Sequence, residues 1–152
     1  MRTTSLLIGL LIIALGFSAC EKDKAKMVEE IGYGTSFGMC LGYCVNEVAI
    51  STDKITFRKK KNGDAPETKT CTKNITEGEL NELKLLVATN EFNKLPETIG
   101  CSDCADGGAE WISLKLEGKV KKVTFEYGKA PDELKALVQK LREIKEGFAD
   151  CN

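Results

Sequence analysis

Apolar and polar residues alternate with a period of two in several stretches of the chain. Residues 45–51 ("VNEVAIS") and 54–60 ("KITFRKK") read as two strands joined by a polar turn at Thr52-Asp53. In the second, Ile55 and Phe57 alternate with Thr56 and Arg58, the pattern of a strand with one buried face. The turn signal "KNGD" at 61–64 closes this pair, and "TKTCTK" at 68–73 can form a third strand. Further on, Ile112, Leu114 and Leu116 alternate with Ser113 and Lys115. After a turn at Glu117-Gly118-Lys119, Val123, Phe125 and Tyr127 alternate with Lys122, Thr124 and Glu126. Two other stretches change to helical spacing. Leu80, Leu83, Leu86 and Val87 follow Thr76, and Glu79 stands three residues after that threonine, which is the arrangement of a capping box. Phe92 and Leu95 close over the same core. Leu134, Leu137, Val138, Leu141, Ile144 and Phe148 form one apolar stripe. Pro131 suits its first helical position, Asp132 and Glu133 complement the helix dipole, and Gly147 lies near its end.

The predicted order is therefore ββ(β)αββα. Each strand offers one apolar face and each helix one apolar stripe. Burying both predicts an α+β two-layer sandwich, an antiparallel sheet of four to five strands with two helices on one face. A ββα unit used twice is one reading of this order, since "GEL..L" at 78–83 returns as "DEL..L" at 132–137. Residues 96–110, rich in Gly, Asp and Cys, are expected to form a loop. The second sheet face would carry Thr56, Arg58, Lys115, Lys122 and Thr124, either as a solvated surface or as a docking surface for a partner.

Composition and charge remove several functions. The formal net charge of −1 gives no electrostatic case for binding nucleic acid. The chain contains no histidine, which excludes Ser-His-Asp and Cys-His catalysis, His-ligated zinc and c-type haem attachment. The first twenty residues add an address. Arg2 precedes an apolar run at 6–17, and "FSAC" follows, ending at Cys20. The run is short of the ~20 apolar residues of a membrane span and fits the apolar core of a secretory signal. The ending resembles a bacterial lipobox, with Phe17 in the place usually held by Leu. The expected organisation is a lipoprotein signal peptide at 1–19, a lipidated Cys20 with a polar tether over 20–30, and one disulfide-stabilised domain over 31–152. The tether reading rests on the charged "EKDKAKMVEE" at 21–30. The expected location is the cell envelope, as an outer membrane lipoprotein that is periplasmic or surface-exposed, with the membrane reached through the lipid. "NIT" at 74–76 is formally a glycosylation sequon, but the helix cap explains Thr76 better.

Six cysteines remain after Cys20: Cys40, Cys44, Cys71, Cys101, Cys104 and Cys151. An even number in an exported domain favours disulfides, and six allow 15 pairings. Cys40 and Cys44 would lie about 13 Å apart in an extended strand, beyond the ~4.4–6.8 Å of bridged Cα atoms. A bridge between them therefore requires a tight turn, which Gly42 permits. Cys101 and Cys104 can meet across a turn centred on Ser102-Asp103. Those two local bridges would leave Cys71 to pair with Cys151. The rival scheme links the 40/44 pair to the 101/104 pair. Two chemical readings compete with structural bridges. One is a four-thiolate zinc site from C-x3-C plus C-x2-C, which an oxidising compartment disfavours. The other is a redox pair at Cys101 and Cys104. Asp103 and Asp106, with Glu110 beside Gly107 and Gly108, offer oxygen ligands for calcium or another ligand, without the EF-hand spacing. No metal or other cofactor is expected.

The turn "CLGYC" at 40–44, followed by a strand pair, a helix with "EL..L", a strand hairpin and "PDEL..L" at 131–137, resembles the bacterial family called domain of unknown function 6438. Cys40, Gly42 and Cys44 match its "C-F-G-x-C-P" start, with Leu41 in place of Phe and Val45 in place of Pro. Pro131 and Leu134 match the entry to its last helix, and either Asp103 or Asp106 answers to its loop acid. The resemblance covers about residues 31–146 and implies a small envelope or secreted domain in which the C-x-G-x-C turn belongs to the fold. It brings no activity with it. The expected function is that of a lipid-anchored, non-enzymatic binding or structural module with a protein or small-ligand partner. The alternatives are a thiol-disulfide protein using Cys101 and Cys104, and a secreted inhibitor-like domain.

Overall fold

The computed structural model describes residues 28–63 and 66–151. The expected signal peptide, Cys20, most of the tether and Asp64 of the expected turn lie outside them. The described chain forms seven strands: β1 (Val28–Ser36), β2 (Tyr43–Ile50), β3 (Lys54–Lys61), β4 (Thr68–Asn74), β5 (Thr98–Ile99), β6 (Ala109–Leu116) and β7 (Lys119–Glu126). Three α-helices accompany them, α1 (Glu77–Leu85), α2 (Thr89–Lys94) and α3 (Lys135–Glu146). The strands make one sheet in the order β4-β3-β2-β1-β6-β7-β5. All neighbours are antiparallel except β5, which runs parallel to β7.

This corrects the expected antiparallel sheet of four to five strands with two helices. The sheet has seven strands and is mixed, and a third short helix, α2, holds Phe92. Two strands escaped the sequence pattern. β5 is only two residues long and lies in the expected loop. β1 begins at Val28, inside the stretch assigned to the tether, and is the central strand. Its sequence, "VEEIGYGTS", hides its character, because Gly32 and Gly34 stand where a two-sided strand would show apolar residues. Ile31 and Tyr33 point into the core beneath the helices. On the other face, β6 side chains fill the space above the glycines. A Cβ on Gly34 would lie 2.1 Å from Trp111 Cζ2, and one on Gly32 would lie 2.1 Å from Ser113 Oγ. Glycine here allows a close approach of side chain to backbone. Gly34→Ala should therefore cost roughly 1–3 kcal/mol by overpacking, read as a lowered denaturation midpoint. An unchanged midpoint would show that Trp111 moves aside freely.

One core cluster joins the helices to one sheet face. It includes Ile31, Tyr33, Val48, Ile50, Phe57, Ile112, Leu114, Val123 and Phe125 from the strands, with Leu80, Leu83, Phe92, Leu137, Val138 and Leu141 from the helices. The expected capping box is present: the Thr76 side chain accepts from the Glu79 backbone N–H, while the Glu79 carboxylate accepts from the Thr76 N–H at 2.9 Å. The expected helix entry at Pro131 is a single 3-10 turn, Asp132–Leu134, and the α-helix proper starts at Lys135. Glu117 and Gly118 both take positive φ, 50° and 75°, as the tight turn between β6 and β7 requires. Among the described residues no helix is long and apolar enough to cross a membrane.

Candidate functional site

The cysteines pair as Cys40–Cys44, Cys71–Cys151 and Cys101–Cys104, with Cα atoms 5.6, 6.0 and 5.4 Å apart. Gly42, with φ of 93°, provides the turn that brings Cys40 to Cys44. A four-thiolate zinc site would need these sulfurs unbridged, and no group of three or more metal-ligating side chains converges among the described residues.

Two of the three bridges share one end of the sheet. β1 ends there and β6 begins there, so the loop after β1 (residues 37–42) and the loop before β6 (100–108) are neighbours. Phe37 joins them. Its backbone N–H donates to the Cys44 carbonyl at 3.1 Å, its ring packs edge-on against Tyr127 at 4.9 Å, and a Cβ on Gly108 would strike it at 2.4 Å. The Asn62 amide donates to the carbonyls of Phe37 and Gly38, both at 3.1 Å, which ties the loop after β3 to the same pole. The Cys40–Cys44 bridge thus closes a tight turn that holds Leu41, with Met39 immediately before it, and these two side chains form the tip. Both side chains stand in solvent, Met39 81% exposed and Leu41 fully so.

Beside this tip lies a cationic cluster built on β3 and β4. The Tyr43 ring has the ammonium groups of Lys59, Lys61 and Lys69 at 4.6, 5.2 and 5.7 Å from its centroid. Its hydroxyl donates to Glu67 at 2.6 Å, and Lys61 donates to the same carboxylate at 2.6 Å. The tyrosine is pushed up to about 12 by desolvation and by the neighbouring carboxylate, while the Lys61 and Tyr43 hydrogen bonds hold Glu67 down at about 2. The period-two pattern placed these lysines on strands, but it could not show that the bulge between Tyr43 and Val45 aims the tyrosine among them.

Of the three acidic residues grouped in the sequence, Asp103 and Asp106 stay on the loop and Glu110 turns into the core. Asp103 and Asp106 are exposed on the loop before β6, and the Asp103 carboxylate lies beside Gly38. Glu110 is completely buried on the opposite side of the sheet from Trp111. It receives Arg142 Nε at 2.8 Å and Nη2 at 2.5 Å, the Tyr33 hydroxyl at 2.5 Å and the Gly128 N–H at 3.2 Å. The calcium reading therefore fails at Glu110, whose four acceptor positions are taken. Burial pushes the Glu110 pKa up, and the Arg142, Tyr33 and Gly128 hydrogen bonds more than reverse this, so the carboxyl sits below its usual range. Burial also raises Tyr33, and the contact with Glu110 adds to it. Lys145 lies 5.8 Å from the Tyr33 ring and is lowered by burial. The sequence carried a signal for this pair. Glu110 is in phase with Ile112 and Leu114 on the core side of β6, and Arg142 follows Leu141 in the helical stripe.

The face read as solvated or docking surface is the one opposite the helices. Trp111 lies there, with Lys122 Nζ 4.0 Å from its ring centroid. Comparison with protein-family models and with curated proteins finds no significant match.

Proposed function

We propose that this chain is a lipid-anchored cell-envelope protein that works by binding and not by catalysis, and that its binding pole is the loop clamped by Cys40–Cys44. The observation that carries this reading is the exposure of Met39 and Leu41 on a loop held in one shape. An exposed apolar tip costs solubility, and a covalent clamp lowers the entropy lost when such a tip is buried by a partner. The polarity of the fold supports the same reading. Val28, where the chain arrives from Cys20, starts β1, and the tip follows the end of β1. Eight residue steps at ~3.3 Å separate them by about 26 Å. A lipid on Cys20 would thus join the domain at the end of β1 farthest from the tip. Lys59, Lys61 and Lys69 beside the tip favour a protein partner with an apolar socket and an acidic rim.

The test has two arms. Cells fed an alkyne-tagged fatty acid should label the wild-type chain and leave Cys20→Ser unlabelled and released from membranes; label on the variant would remove the anchor. A photo-crosslinking residue at position 41 should give a discrete adduct that Met39→Asp abolishes, while one at Val120, exposed at the opposite end of the sheet, should not. Identical adducts from both positions would remove the binding pole.

A further inference from the structure

The Cys101–Cys104 bridge differs from both other bridges in access and in backbone strain, and from Cys71–Cys151 in loop length as well. The first is access. Cys101 and Cys104 are both exposed, whereas Cys44 and Cys151 are buried, so each of the other bridges presents at most one reachable sulfur. The second is loop length. A bridge spanning three residues removes little freedom from the unfolded chain, whereas the Cys71–Cys151 bridge closes a separation of 80. The third is backbone strain. Asp103, Ala105 and Asp106 hold φ of 62°, 51° and 60°, and among the described residues Glu117 alone of the other non-glycine residues has positive φ. Side chains with a Cβ occupy this region at a cost that glycine does not bear, larger for Ala105 than for the two aspartates, whose short polar side chains suit it better.

The strained segment is held at both ends. Cys104 N–H donates to the Cys101 carbonyl at 3.2 Å, Gly107 N–H to the Cys104 carbonyl at 3.1 Å, and Asp103 N–H to the Gly108 carbonyl at 3.1 Å. Cys101 N–H donates to Glu126 at 3.2 Å. Of these bonds only the one from Cys104 to Cys101 closes the same span as the sulfur link, and both of its residues are exposed to water. Opening the link lets three unfavourable residues relax and leaves the core untouched, because no side chain of the segment 101–107 is part of it.

We infer that Cys101–Cys104 is a thiol-exchange site, a disulfide that accepts two electrons from an external dithiol while the other bridges stay closed. A thiolate of the dithiol attacks one sulfur of the bridge. The S–S bond breaks, a mixed disulfide forms, and the second protein sulfur leaves as a thiolate that takes a proton from water. The second thiol of the reductant loses its proton, attacks the mixed disulfide and releases the remaining protein thiolate, which is protonated in turn. The reductant ends as a disulfide and the protein carries two thiols at Cys101 and Cys104. Strained, exposed bridges are the more oxidising ones, which gives the exchange its direction. This site goes beyond the binding pole and does not depend on it.

The test uses the full-length exported protein in detergent, equilibrated with graded reduced and oxidised dithiothreitol, then alkylated and mapped by mass spectrometry. Cys101 and Cys104 should become alkylated at a reductant ratio at least tenfold below that needed for the other four cysteines, with the near-ultraviolet circular dichroism retained. Opening of all three bridges over one range, or of Cys40–Cys44 first, would overturn the assignment. In a second arm, Asp103→Gly combined with Ala105→Gly should raise the ratio needed several-fold, since glycine occupies these φ values without strain. An unchanged ratio would overturn the part assigned to backbone strain. Either failure leaves the reading of Met39 and Leu41 standing, because crosslinking at position 41 does not depend on this bridge.

Discussion

Replacing Arg142 with methionine should destabilise the fold by about 3–5 kcal/mol at neutral pH and reverse the sign of the pH dependence that Glu110 contributes. The magnitude is that of a buried ion pair broken by removal of one partner, which strands the other charge in a medium that cannot solvate it. Glu110 is fully buried, while the Arg142 side chain keeps about a third of its surface in water (35%). The two partners are therefore not equivalent. Glu110→Gln leaves an arginine that can reach solvent and an amide that still accepts from Tyr33, and should cost only about 1–2 kcal/mol. Arg142→Met leaves a carboxylate with only Tyr33 and Gly128 as donors. In the wild type the folded-state pKa of Glu110 lies below that of the unfolded chain, near ~4.3. Its contribution is thus fully present above that value and is lost as the pH falls through the folded-state value. In Arg142→Met, burial has no guanidinium to oppose it and raises the folded-state pKa. The loss relative to the wild type should then be smallest in acid, where Glu110 is neutral, and grow as the pH rises. Urea unfolding between pH 3 and pH 8 separates these outcomes. Equal losses for the two single variants, with parallel pH profiles, would show that Glu110 is hydrated in solution. The double variant Glu110→Leu, Arg142→Met should recover most of the loss, because it leaves no stranded charge.

The same pair shows which parts of the structure could be read along the chain. Strands β2, β3, β6 and β7 announced themselves because each has one apolar and one polar face. Helix α1 did so through Thr76 and Glu79, whose capping bonds depend on residues three apart. β1 stayed hidden for the opposite reason. It is the central strand, and its face away from the helices is covered by Trp111 and Ser113 of β6 lying over Gly34 and Gly32. A strand covered by a neighbour's side chains need not have apolar residues of its own on that face. β5 was hidden by its brevity, since two residues carry no period. Glu110 was read with Asp103 and Asp106 because all three are acidic and close in sequence. Its partner, Arg142, is 32 residues away, and only the packing of α3 on β6 brings the two together. The exposed tip is a different case. Met39 and Leu41 were visible as residues, but their exposure follows from the turn at Gly42, and apolar residues beside a cysteine more often face a core.

Removing the Cys71–Cys151 bridge by a double Ser substitution should cost about 4.5 kcal/mol, against about 2 kcal/mol for either local bridge. The difference follows from the chain closed by each: a separation of 80 residues against 4 and 3. For a chain of this size the loss lowers the thermal midpoint by roughly 10–20 °C. It should also raise the denaturant slope, because the unfolded chain, no longer tied, exposes more surface. Sulfur is not the only tie at this place. Phe148 stacks on Phe57 at 5.3 Å, and Lys73 of β4 donates to the Gly147 carbonyl. β4 is one of the sheet's two edge strands, however, and pairs with β3 alone. Its hold on the segment after α3 is therefore chiefly the bridge. If the long-range variant lost no more stability than Cys40→Ser, Cys44→Ser, then the Phe148–Phe57 stack would be holding the chain end, and Phe148→Ala in the wild type should reproduce the full loss that the bridge deletion failed to show.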